Sequence, residues 1–306
     1  MMHPIWIGLR LPFLTGSMTP VALAGLYAWR LDRFEALPLL LAAVGVACLH
    51  VAANLINDYY DAPGTDRINR RITPFSGGSR VIQEHGLSRN TVFRLSLAFF
   101  GTAVLMGILL GIWKGCGVLL VGLLGLLAGL LYSYQPVRLM SRGAGELTIF
   151  LAFGPFLTFG TFLAVTGALD AGAFLLGFPS GYLITAVIWI NQFPDFEADR
   201  DTGKRNLVVR LGLDASRHVY AVLVLLPYPT VILFSFMERY TPWFLLALGA
   251  FPLSYKAIRL LGRTYRDHKG MAPVQALTIK AHLVTGLLMM AGLLADGLAA
   301  YVASLR

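Results

Sequence analysis

Charge is scarce in this chain. Asp, Glu, Lys and Arg make up only 13% of its 306 residues, about half of the roughly 25% usual in soluble domains. A soluble globular protein of this length has a surface too large to cover with so few charges. Cysteine is scarcer still: Cys48 and Cys116 both lie in apolar runs. That excludes a disulfide framework and a thiolate metal centre, and both cysteines read as buried small hydrophobes. The composition also excludes disorder and a collagen-like chain. A positive segment ahead of the first apolar stretch is missing, because the first basic residue is Arg10. A cleavable leader is therefore not expected, and the first apolar run reads as a first helix.

What is present is apolar: 57% of the residues are hydrophobic. A helix crossing the hydrocarbon core needs about 20 apolar residues. The runs 11–29, 36–57, 95–113, 115–137, 147–169, 171–194 and 219–237 meet that length. The run 240–255 reaches it by extending to Arg259, whose stem can snorkel. The last run, 281–305, is interrupted by Asp296. The expectation is an all-α, polytopic membrane bundle of nine transmembrane helices, forming one domain over residues 1–306. A barrel would show alternating segments of about ten residues instead.

The net charge of +9 has a direction. With nine spans, 20 of the 25 basic residues fall on the side of the N-terminus, leaving Arg30, Arg33, Lys114, Arg239 and Arg306 on the other. The excess of basic residues makes the N-terminal side cytoplasmic. That side also carries the longest connections, expected as cap loops over about 58–94 and 195–218. Long loops on a compact bundle are usually functional. His50 and His282, within or near spans, read as polar contacts between helices. No nucleic-acid partner is expected.

The acidic residues gather in two places. Asp58, Asp61 and Asp66 follow the second span, and Asp195, Glu197, Asp199 and Asp201 follow the sixth. Asn54 and Asp58 are one helical step apart, as are Asn57 and Asp61, and Asn191, Asp195 and Asp199 form an i, i+4, i+8 ladder. Each helix end thus presents a stripe of oxygen ligands. A helix C-terminus already carries negative partial charge, so added carboxylates need a compensating cation. Hard divalent cations such as Mg²⁺ take oxygen ligands and bridge carboxylates to phosphate. Glycines and basic residues follow each cluster: Arg67, Arg70, Arg71, Gly77, Gly78 and Arg80 after the first, Gly203, Lys204 and Arg205 after the second. A carboxylate–metal–phosphate arrangement would neutralise all of them together. Glu197 and Asp201 fall off the ladder face and read as solvated. A transporter would place ionisable groups near the bilayer centre. Here they lie at helix ends, which favours an enzyme.

At these residues the sequence resembles the UbiA superfamily of intramembrane prenyltransferases over essentially the whole chain. Asn57, Asp58 and Asp61 match the family's first motif, Asn-Asp-x-x-Asp-x-x-x-Asp, with Asp66 one residue late. Asp195 and Asp199 match its second, Asp-x-x-x-Asp. The late Asp66, together with Thr73–Arg80, Arg142–Glu146 and Gly203–Gly212, is similar to the branch acting on 1,4-dihydroxy-2-naphthoate in menaquinone biosynthesis. A 4-hydroxybenzoate, homogentisate or glyceryl phosphate ether lipid acceptor is the alternative. The resemblance implies an isoprenyl diphosphate donor, an aromatic acceptor, a lipid bilayer and Mg²⁺ held by Asn57, Asp58, Asp61, Asp66, Asp195 and Asp199. It implies a cell-membrane location with the active site on the cytoplasmic side. Asn54, Asn191, Arg71, Arg80, Arg138, Lys204 and Arg205 are then candidates for holding substrate, the basic ones on the outer phosphate oxygens. Tyr134 is the first candidate for facing an allylic cation, with Tyr59 and Tyr60 as alternatives; no residue is singled out for orienting the acceptor, and Glu146 stands where it could do so or serve a structural role.

Overall fold

The computed structural model describes residues 3–304. Arg306, and the final residue of the expected last span, lie outside them. Among the described residues, nine helical segments are long and apolar enough to cross a membrane. They are α1 (Pro4–Arg30), α2 (Ala36–Asp61), α3 (Arg89–Lys114), α4 (Cys116–Ser133), α5 (Gly145–Thr166), α6 (Ala171–Asp201), α7 (Leu207–Ser235), α8 (Pro242–Thr264) and α9 (His268–Ala299). The fold is the expected all-helical membrane bundle.

Burial sorts the helices by position. The most apolar stretch of α6 is 67% buried, whereas those of α3 and α4 are 22% and 11% buried. α6 therefore runs through the bundle, and α3 and α4 face the lipid. Polar side chains join the interior helices. Ser17 on α1 meets His50 on α2 at 2.9 Å, and Ser180 on α6 meets His282 on α9 at 2.9 Å. Both histidines make the interhelical contacts their sequence positions suggest. In hydrocarbon a polar group without a partner is costly, so such pairs fix which helices are neighbours.

Two helices bend where glycine allows it. α5 breaks at Gly154 and α6 at Gly177, and the breaks pack on each other. A Cβ on Gly154 would stand 2.6 Å from the Gly181 Cα, so this crossing admits only glycine.

Three expectations need correction. The second cap loop is not 195–218: α6 stays helical to Asp201, and the next helix begins at Leu207. The polar end of α6 remains helical because its carboxylates are held by Asn69, Lys204 and Asn206. Asn206 also caps the next helix by accepting from the Val209 N–H at 2.8 Å. The connection is only 202–206. The first cap likewise contracts to 62–88, since α2 runs to Asp61 and Ser88 caps α3. Second, α9 is longer than 281–305. Its α-helix is continuous over Met271–Ser304, through Asp296, because Arg30 on α1 pairs with that carboxylate at 2.5 Å. Third, Cys116 is exposed at the start of α4 and Cys48 is half-buried. Neither is a core residue, and in lipid a small apolar thiol needs no burial.

The ends of α2 and α6 that carry the acidic residues meet at one end of the bundle. The opposite end is clasped by ion pairs: Arg30–Asp296, Lys114–Glu35 at 2.5 Å and Arg239–Asp170 at 3.2 Å.

Candidate active site

The site is built where the last turn of α2 faces the last two turns of α6. Asp58, Asp61 and Asp199 are buried there, as is Asp66 in the one-turn helix Thr65–Ile68. Helical spacing put Asp58 and Asp61 on neighbouring faces, so they take different partners. Asp58 accepts from the backbone N–H of Ser79 at 3.2 Å and from its hydroxyl. Asp61 accepts from Asn57 at 3.2 Å and from Lys204 at 2.9 Å.

Lys204 is the centre of the arrangement. Its ammonium lies 2.9 Å from Asp61 Oδ2 and 3.5 Å from Asp199 Oδ1, so one cation, its side chain only 12% exposed, spans both acidic motifs. Burial alone pushes an ammonium's pKa down. Asp61 and then Asp199 outweigh that and hold Lys204 above the ordinary lysine value. Asp199 also accepts from Asn206 at 2.7 Å, and Asp195 accepts from Asn69 at 2.6 Å. The first cap thus reaches across to the second motif. Thr65 and Thr202 repeat that link at 3.1 Å.

Asp66 is tucked against the glycine pair of the first cap. Gly78 has φ +79°, and a Cβ there would stand 2.6 Å from Asp66 Oδ2. Burial first, and then Asp61 and Asp58, push the Asp66 carboxyl up to about 8, against the opposing pull of Lys204 and Arg10.

The remaining candidates separate by position. Asn54 is half-buried one turn before Asp58, and Asn191 accepts from Gln275 at 2.9 Å one turn before Asp195. Arg80 donates to the Asp66 backbone carbonyl and pairs with Glu84 at 2.9 Å. Arg138 lies in a left-handed turn (φ 45°) with its Nε buried and unpartnered. Arg71 turns outward to Glu197 at 2.8 Å, so Glu197 is paired at the rim. Arg205 is exposed. Tyr134 is 41% exposed and meets the Tyr60 ring edge-on at 6.0 Å. Glu146 is buried and accepts from Gln192 at 3.0 Å.

Several residues escape the sequence patterns. Ser79, Asn69 and Asn206 hold the carboxylates, yet none is a candidate from the sequence: Ser79 and Asn206 lie inside stretches that carry only a resemblance, and Asn69 lies in no motif. Arg10, read as a topology charge, stands close enough to act on Asp66. A lone Arg just before a first span was the available signal for it.

Among the described residues, no three acidic, His or Cys side chains gather as a ready metal cluster. The donor set nonetheless fits a hard cation. Asp61 Oδ1 and Asp199 Oδ1 are buried without a hydrogen-bond partner, one from each motif. They flank the position where Lys204 already places positive charge.

Acidic ends of two spans, bridged by Lys204 and covered by caps that carry basic residues, form one charged site at an end of the bundle. Comparison with known proteins makes the class specific. The profile of the UbiA prenyltransferase family matches residues 18–277. The 1,4-dihydroxy-2-naphthoate octaprenyltransferase of Escherichia coli (strain K12) is 30% identical over 269 residues, 87% of this chain and 87% of that one. A solved structure concerned with digeranylgeranylglyceryl phosphate synthase in membranes superposes with a TM-score of 0.64 at 20% identity, covering 95% of this chain and 99% of that one. A UbiA homolog from Archaeoglobus fulgidus bound to GPP and Mg²⁺ superposes at 0.58 with 13% identity, covering 91% and 99%. The chain is a multi-pass membrane prenyltransferase. It belongs to the UbiA prenyltransferase family.

Proposed function

We propose that this enzyme transfers a polyprenyl group from an isoprenyl diphosphate to 1,4-dihydroxy-2-naphthoate, in menaquinone biosynthesis, on the cytoplasmic side of the cell membrane. The observation that carries the diphosphate site is the meeting of Asp61 and Asp199 on one largely enclosed cation, Lys204. The acceptor rests on the likeness to the Escherichia coli relative and on the Thr73–Arg80, Arg142–Glu146 and Gly203–Gly212 stretches.

Asn57, Asp58, Asp61, Asp66, Asp195 and Asp199 are the residues that would hold Mg²⁺; the Archaeoglobus neighbour is bound to GPP and Mg²⁺. When bound, Mg²⁺ supplies charge to neutralise the diphosphate and favour its departure. Lys204 then turns from the carboxylates to the outer phosphate oxygens. Arg80 and Arg138 stand on the adjoining loops, and Arg71 and Arg205 at the rim. Asn54 and Asn191 lie one turn deeper, where the first carbons of the prenyl chain would pass. Departure of diphosphate leaves an allylic cation, which water would quench. The contacts from Asn69 to Asp195 and from Thr65 to Thr202 hold the caps closed over it. Tyr134, packed on Tyr60, offers an aromatic face to that cation. The ring of the acceptor attacks it, and loss of the acceptor's carboxyl group follows.

A labelled prenyl diphosphate offered with each acceptor in turn tests the reading. The dihydroxynaphthoate should be prenylated far faster than 4-hydroxybenzoate, homogentisate or a glyceryl phosphate ether lipid precursor. Preference for any of these would refute the acceptor assignment.

A further inference from the structure

Glu146 is a buried carboxylate that the diphosphate chemistry leaves unused. It opens α5 and is only 3% exposed. Its Oε1 is fully engaged, accepting from the Leu207 backbone N–H at 2.9 Å and from Gln192 Nε2 at 3.0 Å. Its Oε2 is buried with no partner, and so is Oε1 of Gln192. A buried acceptor left without a donor keeps its desolvation cost unrepaid. Two such oxygens on hydrogen-bonded neighbours mark a place for a ligand that donates.

The place adjoins the reaction centre. Gln192 is three residues before Asp195 on α6. Tyr132, at the end of α4, packs on the same corner: a Cβ on Gly145 would lie 3.2 Å from its ring. The charges that act on the Tyr132 hydroxyl are those of Glu146, Lys204, Asp61 and Asp199. Tyr132 thus lies beside the start of α5, within electrostatic reach of Glu146 and of the two acidic motifs.

We propose that Glu146 and Gln192 form the acceptor subsite, binding the hydroxyl groups of a hydroxylated aromatic, with Glu146 Oε2 taking a hydroxyl proton as the ring attacks. This rests on the prenyl-transfer reading above. The acceptor's O–H bond breaks and its proton passes to Glu146. The O–H electron pair forms a carbonyl, and a ring π pair forms the carbon–carbon bond to the first prenyl carbon. The carbon–oxygen bond to diphosphate breaks and its pair leaves with diphosphate. An acceptor with a single free hydroxyl would satisfy one of these oxygens, whereas a dihydroxylated aromatic brings two donors for the two oxygens.

Glu146→Gln separates this role from a structural one. The amide keeps one oxygen to accept from Leu207 and Gln192, so the start of α7 stays anchored. With 1,4-dihydroxy-2-naphthoate, kcat should fall by about a hundredfold while the KM for prenyl diphosphate stays unchanged. Gln192→Met keeps the carboxylate and should raise the acceptor KM by about tenfold. Replacing the acceptor by 1-hydroxy-2-naphthoate should slow the wild type but cost Glu146→Gln nothing further. Wild-type acceptor kinetics in Gln192→Met, or an equal cost of the missing hydroxyl in both enzymes, would overturn the subsite. The Gln192→Met result decides the matter if Glu146→Gln does not fold. A wild type that binds prenyl thiodiphosphate yet prenylates no hydroxylated aromatic would overturn the underlying functional reading instead.

Discussion

Asp61 and Lys204 meet at 2.9 Å across 143 positions of sequence. One ends the second span and the other lies in the turn after the sixth. Their contact, extended by Lys204 to Asp199, brings the two acidic motifs to a single point.

Lys204→Met leaves Asp61 and Asp199 buried without their shared cation. Breaking a buried ion pair by removing one partner costs about 3–5 kcal/mol. Thermal unfolding in detergent should show a clear drop in Tm for the metal-free variant, with part of it restored by Mg²⁺. An unchanged Tm would show that the pair carries no structural weight.

Asp66 gives the metal-free protein a pH dependence. Its carboxyl lies at about 8 in the folded state, against an ordinary value of 3.8. The folded state therefore keeps the proton while the unfolded chain releases it. Stability is full below the unfolded value and declines as pH rises to about 8. With a chelator present, Asp66→Asn should flatten that decline and melt above the wild type at alkaline pH. A parallel decline in both proteins would remove Asp66 as its source.

Asp296 works at the other end of the bundle. Its pair with Arg30 is partly buried, and Arg30 also donates to the Arg239 and Tyr240 carbonyls at 2.9 Å each. Asp296→Ala should cost about 1–3 kcal/mol and lower Tm with kcat and KM unchanged. Loss of turnover in a well-folded variant would tie this clasp to the site.

Much of this architecture is legible in the sequence. Runs of apolar residues at bilayer length give the nine spans, because lipid leaves the backbone few other options. The ladder Asn191–Asp195–Asp199 fixes a shared face through helical geometry alone. The partners of those carboxylates were not legible. Asn69 and Asn206 act across turns, and nothing in their local spacing says which side chain they will reach. The extent of the caps was misread for a related reason. Charged residues at a helix end look like loop, yet α6 remains helical to Asp201 because tertiary partners hold those charges. Asp296 looked like a break for the same reason, since its compensating Arg30 lies on the first helix.

The central claim is that both acidic motifs serve one metal-dependent prenyl transfer. Its most direct test compares wild type, Asp61→Asn and Asp195→Asn in isolated membranes, with Mg²⁺ and with EDTA. The readout is transfer of labelled prenyl diphosphate to 1,4-dihydroxy-2-naphthoate. The prediction is product from the wild type with Mg²⁺ alone, and none from either variant although both insert at wild-type levels. Full turnover by either variant, or wild-type turnover undiminished by EDTA, would contradict it.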